Sequence, residues 1–382
     1  MQNSFNLKTL SDIPLKNLKN KRVLLRADFN VPVGKNGKIG GNEDWRIKAA
    51  LPTIKYLLKQ NAKIILLAHL GRPKISRKFI KSVKSKVRKV ESLEYSLKPV
   101  AIRIEELLKS KIKFVDDCIG DKARKAAEEM KSGEIILLEN LRFYKEEEEN
   151  NEKFAKELAS FGDLYINDAF SDSHRKHASI VGITKYLPSC AGLLMEKEIE
   201  MMQAAIKPKR PAIAIIGGVK LETKSPAVNN LAKIYDYVLV GGMVANEMIK
   251  SKFLHSLALN IILPAKENLI KEKHFDIGHN TVKEFSKFIQ KAKTIVWNGP
   301  MGMFEDSKYQ AGTKGVIELI KSARKNGANV LIGGGETIYA LRKFAPKLMD
   351  KKNKGFNIST GGGAMLEFLA GNDLPGIEAL KK

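Results

Sequence analysis

Cysteine is nearly absent from this chain of 382 residues: Cys118 and Cys190 are the only two, far apart and without a redox-like or metal-like spacing. A disulfide framework is excluded, and a reducing compartment is expected. No apolar run approaches bilayer length, and residues 1–13 lack the apolar centre of a secretion signal, so a cytoplasmic protein without membrane contact is expected. No repeat of solenoid period and no low-complexity stretch occurs. A Gly-x-Gly-x-x-Gly fingerprint after the first strand is missing, which argues against a nicotinamide dehydrogenase. Gly218 to Ser225 falls short of a Walker A loop because Thr223 stands where its second glycine belongs. His174 and His177 have a metal-compatible spacing, yet no third ligand accompanies them and Arg175 would repel a cation.

Acidic residues are also in deficit, 42 Asp and Glu against 67 Lys and Arg, which leaves a formal charge of +25. The lysines are scattered, the pattern of solvated faces more than of a nucleic-acid footprint, and their field speeds the arrival of anions. The densest basic segment, Ile75 to Val90, spaces Phe79, Ile80, Val83, Val87 and Val90 at helical intervals. It reads as an exposed amphipathic insertion without catalytic role; a membrane or nucleic-acid contact is the alternative. Hydrophobic content of 43% with 29% charge describes a soluble globular protein, and the length calls for two domains.

What is plentiful is glycine at strand ends. In the second half, Ile213 to Ile216 runs into Gly217-Gly218, Val238 to Val240 into Gly241-Gly242, Val330 to Ile332 into Gly333-Gly334-Gly335, and Phe356 to Ile358 into Ser359-Thr360-Gly361-Gly362-Gly363. Glycine lets backbone N–H groups crowd an anion, and a helix starting there adds its positive end, so a phosphate-rich ligand such as a nucleotide is expected. In the first half the strand-like runs end instead on Arg26, on His69 and Arg72, on Arg142 and on Arg175, which suits a small polyanion. Strands alternating with helical patterns imply parallel sheets, and in such sheets ligands sit at the carboxyl ends of the strands. A helix with an apolar stripe at Met195, Ile199, Met202 and Ile206, followed by Pro208 and Pro211, marks the region between the halves. The acidic run Glu146 to Glu149 reads as a solvated helix start.

Arg26-Ala27-Asp28-Phe29-Asn30-Val31-Pro32, His69-Leu70-Gly71-Arg72-Pro73, Leu138 to Phe143, Trp297 to Glu305, Ser359 to Gly363 and Leu374-Pro375-Gly376-Ile377 together resemble phosphoglycerate kinases, in order and from end to end. The resemblance implies an α/β fold of two Rossmann-like three-layer α/β/α domains with mostly parallel sheets, joined by a hinge helix. Residues 1–185 would bind 3-phosphoglycerate, 186–365 the nucleotide, and 366–382 would return to the first domain. It implies reversible phosphoryl transfer between 1,3-bisphosphoglycerate and MgADP, with a carboxyl group as acceptor, in a cytoplasmic, monomeric glycolytic enzyme.

On the same basis Asp28, Asn30, Arg46, His69, Arg72, Arg142 and Arg175 would bind the glycerate. Lys220, Lys224, Asn298 and Glu305 would handle the nucleotide, with Gly333, Gly334, Gly335, Glu336 and Thr337 and Ser359, Thr360, Gly361, Gly362 and Gly363 around its phosphates. Arg46 and Lys220 would supply charge to the transferring group, Glu336 would meet Mg²⁺, and closure at a hinge near 185–210 would join the sites. A carboxylate acceptor needs no general base, and no Ser-His-Asp or Cys-His set is evident.

Three departures from the family pattern stand out. Glu336 replaces an aspartate, and Ser171-Asp172-Ser173 replaces Gly-Thr-Ala, bringing an extra negative charge to an anion site. Between Ile249 and Asp276 the chain is shortened, so the strand–helix–strand unit there is expected to be incomplete. A catalytically impaired relative acting as a basic anion- or nucleic-acid-binding module is therefore the alternative reading.

Overall fold

The structure is a computed structural model that describes residues 7–73, 93–250, 258–264, 275–349 and 356–381; the basic segment Ile75 to Val90 lies outside them. The chain divides into two compact units, Met1–Lys197 with Leu374–Lys382, and Glu198–Asp373.

Unit 1 is built from β1 (Arg22–Arg26), α1 (Trp45–Lys59), β2 (Lys63–Leu67), α2 (Lys98–Leu108), β3 (Ile112–Val115), α3 (Gly120–Glu128), β4 (Ile135–Leu138), α4 (Lys145–Glu148), α5 (Glu152–Ser160), β5 (Leu164–Asn167) and β6 (Ser189–Ala191). Its six strands pair in the order β3-β4-β2-β1-β5-β6, all parallel. Successive side chains leave opposite faces of a strand. Val23, Leu25, Ile64, Leu66, Ile135, Leu137 and Ile166 therefore meet Ile47, Ile54 and Leu57 of α1 and Val100 and Ile104 of α2 in one core. Leu24, Ile65, Leu67, Ile136, Leu138 and Tyr165 meet Ala123 and Ala127 of α3 and Phe154 and Leu158 of α5 in the other. Each fully buried Leu or Ile contributes about 1.5–3 kcal/mol, so both faces must be covered.

Helix α6 (Leu193–Ile206) carries the chain across the division at Lys197 and Glu198. Unit 2 follows with β7 (Ala212–Ile216), α7 (Leu221–Ile234), β8 (Tyr237–Val240), α8 (Gly242–Lys250), β9 (Ile261–Ile262), α9 (His279–Ile289), β10 (Thr294–Asn298), α10 (Ala311–Lys325), β11 (Asn329–Gly333), α11 (Gly335–Phe344), β12 (Phe356–Ile358) and α12 (Gly362–Leu369). The strand order is β12-β11-β10-β7-β8-β9, again all parallel. Ile213, Ile215, Ile295, Trp297, Val330 and Ile332 pack with Phe285, Val316 and Ile320 of α9 and α10.

One expectation is corrected here. The stretch between Ile249 and Asp276 does complete a strand–helix–strand unit, because Ile261 and Ile262 pair with Val238 and Leu239 and close a β8–α8–β9 crossover. Strand β9 is two residues long. The last segment, α13 (Pro375–Glu378), belongs to unit 1: the Gly376 N–H donates to the Ser173 carbonyl at 2.8 Å, and Lys381 bridges to Leu7.

Candidate active site

In unit 1 the polar residues singled out above gather where β1, β2, β4 and β5 end. Asp28 is 3% exposed and accepts from Arg46, from the Ser171 hydroxyl and from the Asn30 N–H at 3.0 Å. Arg46 stands in the first turn of α1, its guanidinium 4.9 Å from the Trp45 ring centre. Asn30 Oδ1 accepts from the Gly71 N–H at 2.9 Å, and Arg142 Nη1 donates to the Gly71 carbonyl at 2.9 Å. Three loops are thus tied at one glycine. Arg72, next along, is exposed and makes no hydrogen bond or ion pair among the described residues.

Asp172 lies at the centre of the cations. Its Oδ2 accepts from Arg26 Nη2 at 3.3 Å, while Oδ1 is 3.8 Å from both Arg142 Nη2 and Arg175 Nε. Burial raises the Asp172 carboxyl, but His69 and the three arginines pull it the other way and prevail, so it stays an anion well below its ordinary value. Arg26 Nη2 also meets His69 Nδ1 at 3.0 Å; a guanidinium only donates, so the imidazole accepts there and carries its proton on Nε2. Burial, opposed by Asp172 and reinforced by Arg26 and Arg142, pushes His69 down to about 3.

A pH dependence follows. An unfolded imidazole takes a proton near pH 6.5 and folded His69 refuses it, so stability is lost as pH falls from about 6.5 towards about 3, by up to about 1.4 kcal/mol per pH unit. His69→Gln is expected to remove that share. Denaturant melts of both chains at pH 7 and pH 5 measure it: the parent should lose more than the variant, and equal losses would contradict the assignment.

Two readings of the sequence are corrected in this unit. Arg26 is not a rim cation but fully buried, donating to Ser179 Oγ at 2.9 Å, to the Ala27 carbonyl, to His69 and to Asp172. Glu147, taken for part of a solvated helix start, is also fully buried and accepts from the Ser179 N–H at 2.9 Å and its hydroxyl at 2.6 Å.

In unit 2, Lys224 from the first turn of α7 donates to Asn298 Oδ1 at the end of β10, where Asn298 is 1% exposed. Burial, opposed by the nearby Glu336 carboxylate, holds Lys224 down to about 8, so an anion arriving there would restore its full charge. Glu336 itself is exposed, in the first turn of α11. Thr337 is buried and its hydroxyl accepts from the Gly299 N–H at 2.7 Å. The loops after β11 and β12 touch, since a Cβ on Gly362 would stand 3.1 Å from Gly334 Cα, and one on Gly333 would stand 2.1 Å from Met365 Sδ. Gly335 and Gly363 are exposed beside them. Helices α11 and α12 therefore start next to each other, and both offer free N–H groups. Lys220, at the extended residue before α7, and Glu305 are exposed, and neither side chain has a partner among the described residues.

The close approach of loops makes one glycine testable. Gly299 has φ +96, and a Cβ there would lie 2.1 Å from the Gly217 carbonyl oxygen. Gly299→Ala is expected to cost about 1–3 kcal/mol from the backbone conformation alone, plus displacement of the 217–218 loop. Chemical denaturation and nucleotide titration check it; unchanged stability and binding would contradict the packing.

Comparison with known proteins agrees. A family profile described as phosphoglycerate kinase matches residues 10–257 and 258–372. The chain belongs to the phosphoglycerate kinase family. Among similar phosphoglycerate kinases, that of Finegoldia magna is 41% identical over 98% of this chain and 99% of its own, and that of Dictyoglomus turgidum 40% over 98% and 99%. Solved phosphoglycerate kinases from Pyrococcus horikoshii and Coxiella burnetii superpose with TM-scores of 0.79 and 0.77 at 33% identity, each covering 98% of both chains.

In this phosphoglycerate kinase family member, one buried acid that positions a candidate loop escaped the sequence reading. Glu198 of α6 is fully buried and accepts from Ser359 Oγ at 2.7 Å, the Thr360 N–H at 2.6 Å and Thr360 Oγ1 at 2.8 Å. It holds the loop ahead of α12. The available signal was an acid three residues after Met195 and four before Met202, and so on the side of the apolar stripe.

Proposed function

We propose that the chain catalyses reversible phosphoryl transfer between 1,3-bisphosphoglycerate and MgADP, giving 3-phosphoglycerate and MgATP. The observation that carries this is the contrast between the two rims: buried guanidiniums around a small site in unit 1, and Lys224 with Asn298 beside two glycine-started helices in unit 2. Arg142, Arg175, Arg72 and His69 Nε2 are the donors for the glycerate phosphate and carboxylate, with Asp28 and Asn30 fixing the loops that present them. Arg46 and Lys220 supply charge to the transferring phosphoryl group, whose transfer is governed by positioning and electrostatics. Lys224, Asn298, Glu305 and the segments Gly333–Thr337 and Ser359–Gly363 hold the nucleotide.

Mg²⁺ fits the residues present. Among the described residues no three acidic, His or Cys side chains cluster as a metal cage, and Glu336 offers one exposed carboxylate near Lys224. That is the donor set of an ion held mainly by phosphate oxygens and water, and when bound it would neutralise phosphate charge. A cytoplasmic, monomeric enzyme of glycolysis is the matching cellular reading. The anion-binding alternative is not favoured, since it gives no reason for the Lys224, Asn298 and Glu198 contacts.

Purified protein with 3-phosphoglycerate, ATP and Mg²⁺, coupled to reductive consumption of the acyl phosphate by NADH, tests the proposal. Turnover dependent on all three is expected. No NADH oxidation at saturating substrates would end the reading.

A further inference from the structure

The Asp172 carboxylate has two oxygens engaged in different ways. Oδ2 is bound to Arg26, a side chain with no exposure at all, while Oδ1 stands 3.8 Å from Arg142 and Arg175, beyond hydrogen-bonding reach. Arg142 is 5% exposed, yet its Nε and Nη2 donate no hydrogen bond, and neither does Arg175 Nε. Arg142 Nε does have the exposed Glu148 carboxylate 3.3 Å away, so Arg142 Nη2 and Arg175 Nε are the donors that a guest would complete. The loop carrying Asp172 is not free to swing away, because Gly376 of α13 donates to the Ser173 carbonyl and a Cβ on Gly376 would stand 2.9 Å from Ser173 Cα. His69 is neutral, so the cluster holds three positive charges, a buried Asp172 carboxylate within 4 Å of all three, and an exposed Glu148 carboxylate on Arg142 alone.

We infer that Asp172 is a resident counter-anion that weakens anion binding at the unit 1 cluster and so sets the affinity of this enzyme for its phosphorylated glycerate. The inference rests on the proposed function for the identity of the guest and on geometry for the rest. A guest oxygen that binds Arg142 and Arg175 must sit near Oδ1, and two like charges that close repel. Removing one unit charge at about 6 Å, with an effective dielectric constant near 20, relieves a substantial repulsion on the guest. After screening, a gain in anion affinity of about tenfold or more is the expected size. Asp172 is thus a specificity-determining and positioning residue, and its side chain need not touch the reacting atoms.

Asp172→Asn keeps the shape and removes the charge. Calorimetric titration of parent and variant with 3-phosphoglycerate, and separately with inorganic sulfate, is expected to show about tenfold tighter binding of both by the variant. Its melting temperature should be lower without anions and should rise more steeply with added sulfate than the parent's. Should the Asn chain fail to fold, Asp172→Thr leaves a hydroxyl to accept from Arg26 and is read in the same way. A variant that melts lower but binds both anions no more tightly would overturn the inference and reduce Asp172 to a counter-ion for Arg26. Tighter sulfate binding in a protein that ignores 3-phosphoglycerate would uphold the inference and remove the substrate reading instead. Equal 3-phosphoglycerate binding by parent and variant would do the reverse.

Discussion

Lys220→Ala should lower the turnover number by about 10²–10³-fold while leaving the melting temperature unchanged, the scale of effect seen when one preorganised donor to a developing charge is lost. The reason for the second half of the expectation is structural. Lys220 is exposed, sits in extended backbone just before α7, and its side chain has no partner among the described residues. A lysine at a helix start also opposes the macrodipole, so it contributes nothing obvious to the resting fold. On the proposed function, its charge acts on an anion that arrives later. Steady-state kinetics with a parallel thermal melt separate the two effects, and a loss of activity accompanied by a large fall in melting temperature would mean that the side chain is structural after all.

Arg26→Met should do the opposite and strike stability first. The guanidinium is fully buried between Ser179, which is itself bonded to Glu147, and Asp172. Removing it strands charge in a low-dielectric interior, and breaking a buried pair in this way costs about 3–5 kcal/mol. At about 2–4 °C per kcal/mol for a unit of this size, a fall of the order of 10 °C is expected. Differential scanning calorimetry measures it. A shift of a degree or two would show that Arg26 is dispensable and that Asp172 answers mainly to Arg142 and Arg175.

Much of the architecture was legible because the strands announce themselves. Apolar runs such as Ile64 to Ala68 and Ile213 to Ile216 stop at residues that suit a ligand, and a parallel sheet puts all such stops on one side. The residue pattern therefore predicted which side chains would assemble, including Asp28, Asn30, His69 and Arg142. What it missed were residues whose meaning depends on what packs over them. Glu147 looks like any member of its acidic run until Ser179 is laid across it, and Glu198, on the apolar side of its helix, shows no reason for its charge until the 359–360 loop arrives. Strand β9 is two residues long, too short for any periodicity, and only its pairing with β8 reveals it. Arg26 ends a strand just as Arg142 follows one, and nothing local to either shows that Arg26 is the fully buried hub.

The most direct test of the account is chemical capture of its product. The enzyme is incubated with ATP, Mg²⁺ and 3-phosphoglycerate in the presence of hydroxylamine, which attacks an acyl phosphate to give a hydroxamate and free phosphate. The account predicts hydroxamate formed mole for mole with ADP and absent when 3-phosphoglycerate is omitted. ADP released without hydroxamate, or no ADP at all, would contradict phosphoryl transfer to the glycerate carboxylate.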